Sequence, residues 1–108
     1  IFPVYEADPA WAALFEKAPW QGTRVSGRLG SGDVFNREID RILWLRQRAG
    51  ECCEDMESAA AYEVCARFGV PCVGVRIISN NELTGESYQR TVGERLQRFV
   101  LTALEVPV

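Results

Sequence analysis

The chain has 108 residues, which is enough for one small domain or for part of a larger one. Hydrophobic residues make up 47% and charged residues 25%, a composition typical of a globular chain. The net charge of −3 argues against a nucleic-acid surface, and the absence of histidine excludes Ser-His and Cys-His nucleophiles together with the commonest metal ligand.

The first predicted helix begins at Asp8-Pro9, with Asp8 as N-cap and Pro9 at the first helical position, and it ends before Pro19. A strand is predicted over residues 23–29. Glycines at positions 27, 30 and 32 make the end of the 26–33 stretch loop-like, and residues 32–35 form a predicted loop that carries an aromatic ring.

A second helix is predicted from residue 36, with Asn36 as a candidate cap, and Gly50 ends it. A short strand over residues 51–54 follows. A third helix over residues 56–68 ends at Gly69, the C′ position that glycine favours.

The apolar, β-branched run over residues 72–78 predicts an interior strand that is buried on both faces. A last helix is predicted over residues 87–104, with an apolar stripe at Val92, Leu96, Phe99, Val100 and Leu104. The alternation of helices and strands predicts an α/β fold, a mostly parallel sheet with flanking helices.

Four cysteines, Cys52, Cys53, Cys65 and Cys72, form no C-x-x-C pair, which argues against a zinc site. We predict reduced, partly buried thiols and therefore a cytoplasmic location. The sequence contains no transmembrane run and no recognisable signal peptide, so no membrane partner is expected.

Three carboxylates, Glu54, Asp55 and Glu57, stand where the second strand becomes the third helix. One interpretation is structural, with Asp55 as N-cap and Glu57 in the first helical turn. The other is functional: Glu57 faces the crevice at the strand ends and accepts hydrogen bonds from two hydroxyls of a ribose.

Three further positions also have two interpretations. Arg76 is interpreted as a structural ion pair with Glu57 or Glu54, or as a group that binds an anion or orients a site carboxylate, and these interpretations do not exclude one another. Asn80, after Ser79, lies either in a polar turn or against the edge of a bound base. Phe35 either anchors a turn or stacks on that base.

These motifs together resemble the nucleoside phosphorylase/nucleosidase superfamily, and most of all its methylthioadenosine/S-adenosylhomocysteine nucleosidase branch. The resemblance covers roughly residues 23–100, and it implies the C-terminal half of a nucleoside phosphorylase-like fold. It is carried by four segments in the family's order, residues 31–35, 55–60, 68–71 and 75–80.

The resemblance implies a role for each matching residue. Phe35 would stack on the purine, the backbone of Asn36 would pair with its edge, Met56 would pack under the ribose and Glu57 would hold the 2′- and 3′-hydroxyls. Ser79 would orient its neighbour. The implied site consists of Phe35, Asn36, Asp55, Met56, Glu57, Arg76, Ser79 and Asn80.

The sequence departs from the adenine-specific nucleosidases at Asn80, where those enzymes have an aspartate that protonates purine N7. An amide cannot deliver a proton, although the 6-oxopurine branch does use an asparagine here, bonded to N7 and O6. Three readings follow: a 6-oxopurine enzyme, a weak adenine nucleosidase with acid from water or Glu82, or a nucleoside-binding or storage protein.

Residues 1–22 do not resemble the family's N-terminal half, so we expect residues 1–108 to be the C-terminal segment of a single domain. The expected partners are a purine nucleoside, a complementary N-terminal polypeptide from the same precursor, and further copies in a homo-oligomer. No cofactor is expected, and phosphate is a possible co-substrate.

Overall fold

The computed structural model describes residues 3–87 and 89–106. Two parallel strands joined by a helix form its sheet. The chain is therefore α/β with a parallel sheet, as the sequence predicts. In chain order, the elements are α1 (Pro9–Lys17), β1 (Arg28–Ser31), α2 (Ile39–Ala49), β2 (Glu51–Asp55), α3 (Ser58–Phe68) and α4 (Val92–Ala103).

The described chain divides into two compact units. The first contains the residues up to Asp8 and Gly27–Gly74, and therefore β1, α2, β2 and α3. The second contains Pro9–Ser26 and the residues from Val75 onward, and therefore α1 and α4.

Glycines end α2 and α3 in the first unit, as predicted. Gly50 has a left-handed backbone with φ 71°, and its N–H donates to the carbonyl of Arg46. Gly69 has φ 67° and donates to the carbonyl of Ala66. Since glycine has no Cβ, it adopts this conformation without steric cost, and Gly50 leads the chain directly from the crossover helix into β2.

Several element starts differ from the prediction. The helix α2 begins at Ile39 rather than at residue 36, because the Asn36 amide bonds to β2 instead of capping the helix. The strand β1 spans Arg28–Ser31 rather than residues 23–29, because only that stretch lies beside β2. The helix α4 begins at Val92 rather than at residue 87, and Tyr88, within the predicted range, lies outside the described residues.

The prediction of an interior strand over residues 72–78 is wrong. Residues 71–80 have no strand assignment, and Ile78 is 59% exposed. A strand requires a ladder of hydrogen bonds to a neighbouring strand, whereas the described backbone bonds here have other partners. The carbonyl of Cys72 accepts the N–H of Asp8 at 2.8 Å, and the N–H of Gly74 donates to the hydroxyl of Tyr62 at 2.7 Å.

Aromatic contacts join α1 and α4 in the second unit. The rings of Trp20 and Phe99 meet edge to face with 5.4 Å between centroids, and Phe15 lies 6.0 Å from Phe99. The guanidinium of Arg24 donates to the carbonyls of Glu16 and Ala18 at the end of α1, where a cation complements the helix dipole. The predicted stripe of α4 is half-buried at its first four positions, and Leu104 is exposed.

Apolar burial is sparse in the part of the chain that the structure describes. The hydrophobic residues that are buried there are Ala18 and Leu45, each 8% exposed. Large apolar side chains such as Val25 and Phe68 remain 70% and 78% exposed. The packing of these elements therefore leaves much of their apolar surface in contact with solvent.

Candidate functional site

The ends of β1 and β2 meet the start of α3 in the first unit. Ser31 lies opposite Asp55 in the parallel register, and the N–H of Gly32 donates to the carbonyl of Asp55 at 3.2 Å. The hydroxyl of Ser31 accepts the N–H of Ala59 at 2.9 Å. These bonds fix the strand ends against the first turn of α3, the edge where parallel sheets bind ligands.

The carboxylate of Asp55 binds the first turn of α3. Its Oδ1 accepts the N–H of Ser58 at 3.1 Å, and its Oδ2 accepts the hydroxyl of Ser58, which is buried. Asp55 therefore satisfies an otherwise unpaired donor of the helix from a position two residues before the N-cap, whereas the structural interpretation placed it at the N-cap itself. Glu57 occupies the N-cap position itself, without a capping side-chain bond.

Met56 and Glu57 both lie exposed at this edge. The N–H of Met56 donates to Oε2 of Glu57 at 3.2 Å, so the carboxylate is drawn toward the backbone that precedes it. An exposed carboxylate can accept several hydrogen bonds, so the Glu57 side chain is chemically suited to binding hydroxyl groups.

The loop between β1 and α2 carries Phe35 and Asn36. The ring of Phe35 is 52% exposed, and the guanidinium of Arg37 lies 5.1 Å from its centroid. The amide Nδ2 of Asn36 donates to Oε1 of Glu54 on β2 at 2.6 Å. The sequence predicted a role for the Asn36 backbone but not this side-chain bond, since no local spacing relates residues 36 and 54.

A buried acid, Glu51, was not identified from the sequence as part of the site. It is 8% exposed, and burial raises its pKa to about 8, with a hydrogen bond to Glu54 and the negative charge of Glu54 acting in the same direction. Glu51 is therefore mostly neutral at pH 7. The available signal was an acidic residue at the first position of a short strand, which alone does not indicate burial.

In the second unit, two side chains orient the amide of Asn80. The hydroxyl of Ser79 donates to Oδ1 at 3.0 Å, and Nδ2 donates to Oε1 of Glu82 at 3.1 Å. Because the carboxylate of Glu82 only accepts, the nitrogen end of the amide must face it.

The residues after Asn80 form a turn that its own polar groups stabilise. Asn81 and Glu86 make an isolated antiparallel bridge, and Oδ1 of Asn81 accepts the N–H groups of Leu83 and Thr84 at 3.0 and 3.3 Å. The carbonyl of Ser79 accepts the N–H of Gln89 at 2.8 Å. The predicted polar turn is therefore present.

Arg76, also in the second unit, is exposed. The expectation of a charge buried within an apolar strand is wrong, because the segment alternates between half-buried and exposed residues from Val75 to Ile78. The ion pair and the anion-binding role stay predictions.

The four cysteines are free thiols, with Cys52 exposed and Cys53, Cys65 and Cys72 half-buried. Burial, with a contribution from Cys52, raises the pKa of Cys53 to about 12, which disfavours the nucleophilic thiolate. Within residues 3–87 and 89–106, the structure brings together no three acidic, cysteine or histidine side chains that could hold a metal ion. No described helix has the length and apolar character needed to cross a membrane.

The curated relatives that the chain matches carry the name of the nucleosidase branch that the motifs resemble. The chain is 32% identical to the 5'-methylthioadenosine/S-adenosylhomocysteine nucleosidase of Geobacillus kaustophilus, in a match covering 94% of this chain and 47% of that protein. It is 30% identical to the enzyme of the same name from Geobacillus thermodenitrificans, with the same coverage, and 32% identical to that of Bacillus thuringiensis over 72% of this chain. The chain thus spans about half the length of the first two relatives.

No solved structure gives a significant match to the chain. The family described as the phosphorylase superfamily matches residues 1–106, which is nearly the whole length. The resemblance predicted from the motifs is therefore confirmed, and the chain belongs to the phosphorylase superfamily.

Proposed function

We propose that this chain supplies part of a site that cleaves the N-glycosidic bond of purine ribonucleosides. Membership of the phosphorylase superfamily and the activity for which its nucleosidase relatives are named support this class of reaction. The observation that carries the proposal is the oriented amide of Asn80, which Ser79 and Glu82 hold by its two ends.

The proposed reaction breaks the bond between ribose C1′ and the base nitrogen, and the bonding electron pair leaves with the base. Water or phosphate then forms the new bond to C1′, and a proton from the attacking water or from solvent neutralises the departing base. Negative charge develops on the purine as it leaves, and a hydrogen-bond donor near N7 stabilises that charge in the transition state. Asn80 would supply this donor through Nδ2, without transferring a proton.

The orientation of the amide favours a purine with acceptors along its edge. One hydrogen of Nδ2 is bonded to Glu82, which leaves the second hydrogen for a ligand acceptor, while Oδ1 already accepts from Ser79. A 6-oxopurine offers acceptors at both N7 and O6, whereas adenine offers an amino group at position 6. We therefore propose 6-oxopurine ribonucleosides as the preferred substrates.

In this proposal Phe35 stacks on the purine and Glu57 binds the ribose hydroxyls. The half-exposed ring of Phe35 and the exposed carboxylate of Glu57 support these roles, because both groups are accessible to a ligand. Met56, 47% exposed beside Glu57, would pack against the apolar side of the sugar.

Release of free base tests the reaction. The native protein is incubated with inosine, adenosine and methylthioadenosine, each with and without phosphate, and the bases are separated by chromatography. We expect inosine to be cleaved fastest, and dependence on phosphate would assign phosphorolysis. Faster cleavage of adenosine than of inosine would contradict the 6-oxopurine preference.

The side chain of Asn80 cannot donate a proton to the base, and this favours a second candidate, a nucleoside-binding or storage protein on this scaffold. Binding of inosine without release of hypoxanthine would support it. If neither binding nor cleavage occurs with any of the three nucleosides, both candidates are wrong.

Replacing Glu57 by glutamine tests the ribose contact. We expect binding of ribonucleosides to weaken by about tenfold or more, because hydrogen bonds to a charged acceptor contribute about 1.5–3 kcal/mol. Glu63→Gln is the matched control, since Glu63 lies on an exposed face of α3 and pairs with Arg67 at 3.2 Å. Unchanged ribonucleoside binding by Glu57→Gln would show that the proposed site is wrong.

We further propose that the active particle contains a complementary polypeptide from the same precursor and more than one copy of this chain. The half-length match to the relatives supports the first part. Native mass spectrometry tests both: a lone 12.1 kDa monomer would contradict them.

A further inference from the structure

The strand β2 contains one residue more than the stretch of β1 that it pairs with, and this extra residue reverses the face on which the following side chains lie. Arg28 lies opposite Glu51, whereas its neighbour Leu29 lies opposite Cys53, so Cys52 forms a bulge. After the bulge, Glu54 lies opposite Gly30.

The bulge brings Glu51 and Glu54 to the same face of the sheet as Gly30. A Cβ atom on Gly30 would lie only 2.7 Å from Cδ of Glu51, so the Glu51 carboxyl covers this glycine directly. Glu54 is among the groups that raise the pKa of Glu51, as expected for two carboxyl groups on one face of the sheet.

On its other side, Glu54 contacts the loop that precedes α2. Its Oε1 accepts Nδ2 of Asn36 at 2.6 Å. This hydrogen bond joins the 33–37 segment to β2.

We propose that Glu54 is a positioning residue: its bond to the Asn36 side chain fixes the loop that presents the exposed ring of Phe35. Phe35 is the chain neighbour of Asn36, so a fixed Asn36 limits where the ring can lie. The effect on ligands rests on the proposed function, in which Phe35 stacks on the base. The effect on the loop does not.

Four variants separate the hydrogen bond from charge and from general folding. Glu54→Ala removes the acceptor, Glu54→Gln keeps an acceptor without the charge, and Asn36→Ala removes the donor from the loop side. Glu63→Ala is the control, because it deletes an exposed carboxylate elsewhere in the same unit. Thermal midpoints show whether each variant is folded.

The first measurement is hydrogen exchange of the 32–37 backbone amides in the native protein without ligand. We expect about tenfold faster exchange in Glu54→Ala and in Asn36→Ala, and near wild-type exchange in Glu54→Gln and Glu63→Ala. Unchanged exchange in both alanine variants would overturn the proposal. So would equal acceleration in Glu54→Ala and Glu54→Gln, because charge alone would then explain the effect.

The second measurement is inosine cleavage. We expect KM to rise by about tenfold in Glu54→Ala with kcat changed by less than about twofold, because stacking on Phe35 would act equally in the ground and transition states. Glu54→Gln should restore KM. If the wild-type protein cleaves inosine, an unchanged KM in Glu54→Ala would overturn the positioning role. If the protein binds no nucleoside but hydrogen exchange is altered in the variants, the loop contact stands and the proposed function is wrong.

Discussion

The hydroxyl of Ser31, the last residue of β1, accepts the backbone N–H of Ala59 in the first turn of α3 at 2.9 Å. This bond gives a side-chain partner to one of the four N–H groups that a helix leaves without an internal acceptor. It also joins two elements that are 28 positions apart in the chain, so the parallel pair and α3 depend on each other.

Replacing Ser31 by alanine should therefore destabilise the first unit. We expect a loss of about 1 kcal/mol in the free energy of unfolding, as for loss of a capping side chain. Urea denaturation measures it. Ser26→Ala is the control, because the Ser26 hydroxyl bonds to Glu16 at 3.2 Å in an exposed position. Equal effects of the two substitutions would contradict this reading of Ser31.

Gly30→Ala should destabilise the chain through overpacking. The new methyl group would displace the buried carboxyl of Glu51, and inserting a methyl into a filled site costs about 1–3 kcal/mol. In Gly32→Ala, the Cβ atom meets nothing within 4 Å, so we expect little change or a small gain.

A double-mutant cycle checks the cause. In a Glu51→Ala background, Gly30→Ala should cost less than it does alone, since the displaced carboxyl is gone. Additive effects would show that the clash with Glu51 is not the reason for the glycine.

Glu51 should make stability depend on pH. Its pKa is raised in the folded chain to about 8 from an ordinary value of 4.5, so between these values the folded state holds a proton that the unfolded state has lost. Stability should therefore be greatest below about pH 4.5 as far as this group is concerned, and should fall as pH rises toward 8 by up to about 1.4 kcal/mol per unit.

Glu51→Gln should remove this slope, because its amide has nearly the same shape and stays neutral at every pH in this range. Denaturation midpoints at pH 5 and pH 8.5 measure the difference, with Glu63→Gln as the control for loss of an exposed carboxylate. A wild-type slope retained in Glu51→Gln would show that this group titrates normally in the folded chain.

Asn80→Asp should add the acid that the adenine-specific branch has. We expect release of adenine from methylthioadenosine to rise by about 10²-fold or more, the lower end of what a general acid contributes. The neighbouring carboxylate of Glu82 favours the protonated form of the new aspartate.

Asn81→Asp is the matched control, since an aspartate there keeps the acceptor for Leu83 and Thr84 and adds the same charge. A gain from Asn81→Asp as large as that from Asn80→Asp would attribute the effect to charge rather than to proton donation.

Local sequence signals predicted the parts of the fold that depend on local geometry. Pro9 marked the start of α1, and Gly50 and Gly69 marked the ends of α2 and α3, because each conformation is a property of one residue and its turn. The parallel arrangement followed from the alternation of helix and strand.

Features set by distant contacts were not predicted. Asn36 was assigned as a helix cap, because nothing near it in the sequence points to Glu54 as a better acceptor. The bulge at Cys52 was also missed, since it breaks the period of two by which strand faces are assigned. The apolar run over residues 72–78 predicted a strand, but apolar character does not supply the neighbouring strand that the ladder needs.

The exposed apolar side chains of the described residues determine how the stability of this chain must be measured. Burial of apolar surface is the dominant favourable term in folding, yet Val25 and Phe68 remain more than two-thirds exposed at 70% and 78%. Any molecule that covers such side chains and binds only the folded chain stabilises it by mass action. The melting temperature is then a property of the mixture and its concentrations, and a value for the chain alone gives only the lower limit.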